Sequence, residues 1–265
     1  MIAPQHKGQF KLNLQYFLHS TEGVQMRWEN CAPEVDIAYS KYMEERLGPA
    51  RKPSAEITQK HKNIAASLQQ RMEEIYFHIL NYAYDVTKER NLALAGGVAF
   101  NSVANGKIYE QTEFDQVYIQ SAAGDAGTAL GSAIYVHNST LHNPRQFGMN
   151  SSYWGPSYDR NALVKALEAN NLVYSSLTED EIIDQTAQAL QNGKIVGWFQ
   201  GRAEWGPRAL GNRSILCDPR QQNMREILNS RIKRRENFRP FAPTILVEET
   251  ADYFEMSRPD PFMMK

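Results

Sequence analysis

Cysteine is scarce in this 265-residue sequence: there are two, Cys31 and Cys217, far apart and outside any CxxC pattern. That spacing excludes a disulfide framework and a cysteine zinc site, and both are read as buried or free thiols. The six histidines, at 6, 19, 61, 78, 137 and 142, show no HxxH, HxxxH or HExxH spacing. With no GxSxG, no Walker A sequence and no Cys–His logic, hydrolase and P-loop readings are set aside. Charge of one sign is also missing. Lys+Arg 29 against Asp+Glu 30 gives a net charge of −1, so no global field recruits nucleic acid or membrane, and any anion specificity must be local. No apolar run approaches the roughly 18 residues of a membrane span. The opening, MIAPQHKGQFKLN, carries no apolar run behind its positive charge, so no signal peptide is expected and the expected location is the cytoplasm.

What is present belongs to a folded α/β protein. Hydrophobic residues make up 42% and charged residues 22%, enough to bury a core, and the length favours two domains. Residues 1 to 57 offer one strand, Gln9 to Phe17, and no periodic helix. Thr58 is a good N-cap, and Ile64, Leu68, Met72, Ile75, Ile79 and Ala83 recur at steps of three and four, which predicts a long amphipathic helix over 58–89. On it, His78 is read as a packing or hydrogen-bonding residue. Leu92–Leu94 enters a glycine pair, DQVYIQ at 115–120 reads as a strand, and the small residues of SAAGDAGTALGSAIYVHN suit a tight loop and a closely packed helix. Asn143-Pro144 and the cluster GMNSSYWGPSYD place a domain boundary near 140–157. Beyond it, Thr178 to Glu181 is a capping box for a helix running to Gly193, and Ile195–Phe199 reads as a buried strand.

The densest chemical signal lies between 202 and 239. Ten basic residues (Arg202, Arg208, Arg213, Arg220, Arg225, Arg231, Lys233, Arg234, Arg235 and Arg239) face four acids, Glu204, Asp218, Glu226 and Glu236. The window carries +6 in a chain of −1, so the remainder sums to −7. GRAEWGPRALGNRS sets three arginines among glycines and a proline after a strand, where their planar forks suit a phosphoanhydride or acyl phosphate. Arg225, Arg231, Arg234 and Arg235 are read as a solvated helix face. Trp205, Phe238 and Phe241 could stack bases, but no RNP-like aromatic motif accompanies them, and a nucleic-acid patch is not expected.

Two further signals are weaker. AGGVAFNSVANGK, 95–107, brings Gly96-Gly97 to the end of a strand, where a nucleotide can approach the backbone and Asn101 and Asn105 can reach a ribose or phosphate; a turn device explains the glycines equally well. In Gly124-Asp125-Ala126-Gly127-Thr128, Asp125 is either a helix N-cap or a hard oxygen ligand for a metal.

Four segments together, LALAGGVAFNSVANGKI, YIQSAAGDAGTALGSAIY, IVGWFQGRAEWGPRALGNRSIL and LNSRIKRRENFRPFAPTIL, resemble the O-carbamoyltransferase family that includes nodulation protein U and the antibiotic-tailoring carbamoyltransferases. The resemblance implies the C-terminal half of an actin/Hsp70-like ATPase (ASKHA) domain over 1–145, followed by part of a YrdC-like α/β domain over 146–265. It implies an enzyme that activates carbamoyl phosphate with ATP as carbamoyl-adenylate and passes the carbamoyl group to a hydroxyl of a small molecule such as a sugar or antibiotic. By the same resemblance, Arg202, Arg208, Arg213, Lys233 and Arg239 match the phosphate- and adenylate-binding basic motifs. Gly96, Gly97 and Asn101, with Gly124 and Gly127, match the nucleotide loops. Asp125 matches an aspartate that joins two histidines on iron or another divalent metal.

The family's paired HHxxH-like histidines and its phosphate loop are absent here. The expectation is therefore a central or C-terminal piece, acting with a missing N-terminal half or as a homo-oligomer, and holding no stoichiometric iron by itself. Rival readings are a threonylcarbamoyl or hydrogenase-maturation type of carbamoyl enzyme and a non-catalytic nucleotide-binding fragment.

Overall fold

The computed structural model describes residues 1–255 and 258–265. In chain order the described elements are β1 (Ile2–Pro4), β2 (Phe10–Leu12), β3 (Met26–Glu29), β4 (Ala32–Val35), α1 (Lys41–Leu47), α2 (Gln59–Thr87), β5 (Asn91–Leu94), α3 (Ser102–Gly106), α4 (Ile108–Gln111), β6 (Gln116–Ile119), α5 (Thr128–Tyr135), α6 (Arg160–Ala169), α7 (Glu179–Gln191), β7 (Val196–Phe199), β8 (Arg213–Leu216), α8 (Met224–Ile227) and α9 (Thr250–Tyr253). The α/β expectation holds as a mixed architecture. The strands pair two by two, as β1-β2, β3-β4, β5-β6 and β7-β8. Contacts divide the chain into two compact units, one of residues 1–92 with 106–117 and one of residues 93–105 with 118–265. The 140–157 stretch lies inside the second unit.

In the first unit, α2 forms where its periodicity predicts. Thr58 starts it, its amide donating to Nδ1 of His61 at 3.0 Å, and Lys88 ends it in the left-handed region at φ 57°. Ile75 and Leu80 are buried, whereas Leu68, on the same apolar series, is 59% exposed, so the stripe is covered only toward its C-terminal half. There His78 Nε2 meets the carbonyl of Gln9 at 3.1 Å, Lys107 pairs with Glu73 at 2.7 Å, and Phe114 packs edge-on to Tyr84. The strand expected over 9–17 is shorter. β2 stops at Leu12 because Asn13 turns its side chain onto the amide of Gln15, at 3.1 Å, and starts a 3-10 turn at Leu14–Tyr16. β3 and β4 join through Asn30 and Cys31, both at positive φ, the two-residue turn that matches strand twist. Cys31 is exposed at that tip and Cys217 is half-buried, both as free thiols.

The second unit is built on small side chains. Ala99, Ala104, Ala122 and Ala123 are buried beside Ile119, Met224, Leu228, Phe262 and Met264. Asn105, 0% exposed, donates to the carbonyls of Ala99 at 2.8 Å and Met264 at 2.6 Å, fastening residue 264 to the 95–105 segment. The helices α5 and α8 each run on into a five-residue π-helical turn, at Val136–Thr140 and Leu228–Ile232. α7 starts as its capping box predicts: the Thr178 hydroxyl accepts from the Glu181 amide at 3.4 Å, and the Glu181 carboxylate accepts the Thr178 amide at 2.8 Å. β7 corrects an expectation. It pairs antiparallel with β8, Phe199 opposite Arg213, but it alternates half-buried and exposed rather than being buried, and Phe199 is 51% exposed. A two-stranded ribbon covers its backbone bonds but buries at most one face.

Thr178→Ala removes one side of the α7 capping box and should lower stability by about 1 kcal/mol. Urea denaturation read by circular dichroism checks this, and an unchanged midpoint would show that the box contributes nothing.

Candidate functional site

Three loops of the second unit converge. The first follows β5. Gly96 stands at φ 98°, open to glycine and strained for other residues, and its N–H donates to the carbonyl of Ala123 at 2.7 Å. A side chain at Gly96 or Gly97 would meet no atom within 4 Å, so the backbone is uncovered on that side. Asn101 Oδ1 accepts from the amide of Ala104 at 3.0 Å and so caps α3. The second loop follows β6. Gly124 packs against the ring of Phe100 and Gly127 against the carbonyl of Ala122 so closely that a Cβ at either would collide. Thus four glycines named from sequence lie in two loops joined by the Gly96–Ala123 bond.

The third loop, between β7 and β8, is GRAEWGPRALGNR. It approaches the second at Gly206, whose φ is 130° and whose added Cβ would fall 2.5 Å from the carbonyl oxygen of Ser121. The Ser121 hydroxyl donates to the carbonyl of Trp205 at 2.9 Å. The third loop meets the first at Arg208, which donates from one terminal nitrogen to the carbonyl of Phe100 at 3.3 Å. The Nε of Arg208 is buried and has no hydrogen-bond partner among the described residues. An unmet donor on a permanent cation is costly to bury and is a ready point for an anion.

The other predicted cations are placed differently. Arg202 donates to the carbonyls of Gly155 at 3.0 Å and Trp154 at 3.2 Å. Arg213 donates to the carbonyls of Asn212 at 2.9 Å and Gly201 at 3.2 Å, and its guanidinium lies 3.6 Å from the centre of the Phe199 ring. Both serve the loop's own backbone. Lys233 and Arg239 belong to a fourth segment organised by Asn229, which is fully buried. Asn229 donates to the carbonyl of Arg239 at 2.9 Å and accepts from Nε of Arg235 at 2.7 Å. Arg239 pairs with Glu236 at 2.7 Å. Lys233 is exposed at the exit of the π turn, where its amide donates to the carbonyl of Leu228. Arg235, read from sequence as a solvated face, is instead half-buried, bound to Asn229 and stacked on Phe241.

Two residues that sequence reasoning passed over organise these loops. One is Asn229. The other is Glu204, whose Oε1 accepts the amides of Leu210 at 2.8 Å, Asn212 at 2.8 Å and Arg213 at 3.1 Å. Burial pushes the Glu204 carboxyl up, and these amides with its own outweigh it, holding it below the ordinary value of 4.5. The signal for Glu204 was its position as the lone acid inside a glycine-rich basic loop; a buried Asn such as Asn229 leaves no comparable mark. The two clefts, of about 400 and 550 Å³, are lined by residues of α2 and α4 and by the end of α5 with Gln146 and Phe147, and contain none of the predicted site residues.

Comparison with known proteins agrees with these motifs. Residues 5–134 match the family model described as the carbamoyltransferase N-terminus, and residues 187–265 the one described as the carbamoyltransferase C-terminus. The chain is 40% identical over 263 residues to an uncharacterized protein of Synechocystis, covering 97% of this chain and 41% of that protein. It is 40% identical over 230 residues to nodulation protein NolO of Bradyrhizobium diazoefficiens, covering 83% and 42%. It is 31% identical over 203 residues to the 3'-hydroxymethylcephem-O-carbamoyltransferase of Amycolatopsis lactamdurans, covering 77% and 37%. The chain thus spans about two fifths of the length of these relatives.

The metal implied by the resemblance does not find a site in these residues. Asp125 is exposed and opens the 3-10 turn Asp125–Gly127; the cap position is Gly124, so Asp125 is not the N-cap either. Among the described residues no group of three or more His, Cys, Asp or Glu could hold a metal ion, and one exposed carboxylate is far short of the three or four ligands that stable sites use. The purified chain should therefore carry no stoichiometric iron after growth in iron-replete medium. Elemental analysis decides; iron at one equivalent, retained in Asp125→Ala, would reveal a ligand set outside these residues.

Proposed function

The chain belongs to the carbamoyltransferase family, and on that premise we propose that it supplies the anion-binding part of an O-carbamoyltransferase that uses ATP and carbamoyl phosphate. Carbamoyl-adenylate forms as a carbamoyl oxygen bonds to the α-phosphorus of ATP and pyrophosphate leaves. The acceptor is a hydroxyl of a small molecule such as a sugar or antibiotic; its oxygen bonds to the carbamoyl carbon, its proton passes to a base, and AMP leaves. The observation that carries the reading is the buried, unpartnered Nε of Arg208 at the junction of the three loops. A phosphate oxygen there would complete the guanidinium's bonds and receive its charge, which stabilises charge developing on a transferred phosphoryl or leaving phosphate. The uncovered backbone at Gly96 and Gly97 supports a nucleotide lying beside it, and the free ammonium of Lys233 supplies a second, mobile charge. Arg202 and Arg213 shape the loop by binding its carbonyls, and Arg239 acts from its pair with Glu236.

In this proposal the organisation is that of an actin/Hsp70-like portion over 1–145 and a YrdC-like portion over 146–265, working in the cytoplasm. No described helix is long and apolar enough to cross a membrane. The segment 141–150 is largely exposed, whereas at 152–156 Ser152 accepts the amide of Trp205 and Gly155 donates to Ala203. Limited proteolysis should therefore cut first within 141–150; first cleavage inside 92–135 would remove the boundary.

Calorimetric titration of the chain with carbamoyl phosphate and with ATP tests the function. Binding of carbamoyl phosphate should weaken by about 1.5–3 kcal/mol in Arg208→Ala, the value of a charge-assisted bond, and Lys233→Ala should weaken it as well. Undiminished binding in both variants would make the basic cluster a solvated surface. Binding of ATP without carbamoyl phosphate would favour the nucleotide-binding reading over the enzyme.

A further inference from the structure

The loop that carries Arg208 has almost no regular structure to hold it. Between the end of β7 at Phe199 and the start of β8 at Arg213, its first anchor is at Trp205 and Gly206, where the Ser121 hydroxyl and carbonyl fix the backbone. Its second anchor is the set of amides at Leu210, Asn212 and Arg213. All three donate to a single oxygen, Oε1 of Glu204. The bond from Leu210 back to Glu204 closes a ring of seven residues, 204–210, and Arg208 lies inside that ring.

Resting on the reading of Arg208 as an anion-binding group, we propose that Glu204 is its positioning residue, holding the ring closed so that the guanidinium arrives beside Phe100 already oriented. Three amides converging on one point also form the kind of concavity that binds a phosphate oxygen. In this loop the chain's own carboxylate fills it. A ligand entering there would have to break all three bonds and leave a charged carboxylate half-buried without them, so the anion is received at Arg208 while the amides stay with Glu204. Asn212 reinforces the closure, its side chain donating to the carbonyl of Arg202 at 2.7 Å. A glutamate is needed for reach, and an oxygen acceptor is needed at its end; the negative charge strengthens the bonds and is secondary to the geometry.

The geometry separates three variants, tested in the full 265-residue chain. Glu204→Gln keeps an oxygen acceptor at the same reach. Glu204→Asp keeps the charge and shortens the arm by one methylene. Glu204→Ala removes both. Hydrogen exchange at the amides of Leu210, Asn212 and Arg213 reads loop closure, and calorimetry with inorganic phosphate and carbamoyl phosphate reads the site. We expect Glu204→Asp, and Glu204→Ala where it folds, to speed exchange at these three amides and to weaken both anions at least about tenfold, as loss of a charge-assisted contact does. Glu204→Gln should restore protection and most of the affinity. Unchanged exchange in Glu204→Asp, or loss of affinity in Glu204→Gln with protected amides, overturns the positioning role. Wild-type affinity in Arg208→Ala, or no anion binding by the wild-type chain, overturns instead the reading of Arg208, because amide exchange reports closure without any ligand.

Discussion

Three backbone amides meeting one carboxylate oxygen at Glu204 set the form of the basic loop. A segment that is neither helix nor strand still has to satisfy every buried N–H and C=O it carries. Here the donors are gathered by Glu204 and the acceptors by arginine: Arg202 takes the carbonyls of Trp154 and Gly155, and Arg213 takes those of Gly201 and Asn212. Charged side chains do the work that hydrogen-bond ladders do elsewhere. The loop can therefore carry glycines at strained angles and still approach Ser121 closely enough to exclude a Cβ.

This allocation changes the meaning of the +6 window. Charge counted from a sequence overstates what a ligand meets, because guanidinium groups bound to carbonyls or to a carboxylate have already spent their donors. Arg239 is held by Glu236 and Arg220 by Asp218, exposed pairs of modest energy that nevertheless direct the side chains away from other partners. Arg208 differs because one of its nitrogens is buried and unmet.

Helices and strands with strong local signals were legible. The steps of three and four before Ala83 located α2, the Thr178–Glu181 box located α7, and DQVYIQ located β6. The loops rich in glycine were legible as motifs, and their convergence was not, since the bonds from Gly96 to Ala123 and from Arg208 to Phe100 span 27 and 108 positions. Composition misjudged β7, whose apolar letters read as burial although only one neighbouring strand pairs with it. It also missed Asn229 and Asn105, because an amide that ties distant carbonyls together looks like any other Asn until the carbonyls are known. The charged face expected at Arg235 failed for the same reason.

The π turn at Leu228–Ile232 bears on how such sequences should be aligned. A π turn accommodates more residues than the α turn it interrupts. Deleting one residue from it would restore α geometry and rotate everything that follows by about 100° around the helix axis. Lys233 and the Arg235–Asn229 bond would then leave from another side of the helix. The interval between LNSR and KRREN is consequently part of the motif, and an alignment that opens a gap there can match every letter while superimposing none of the side chains.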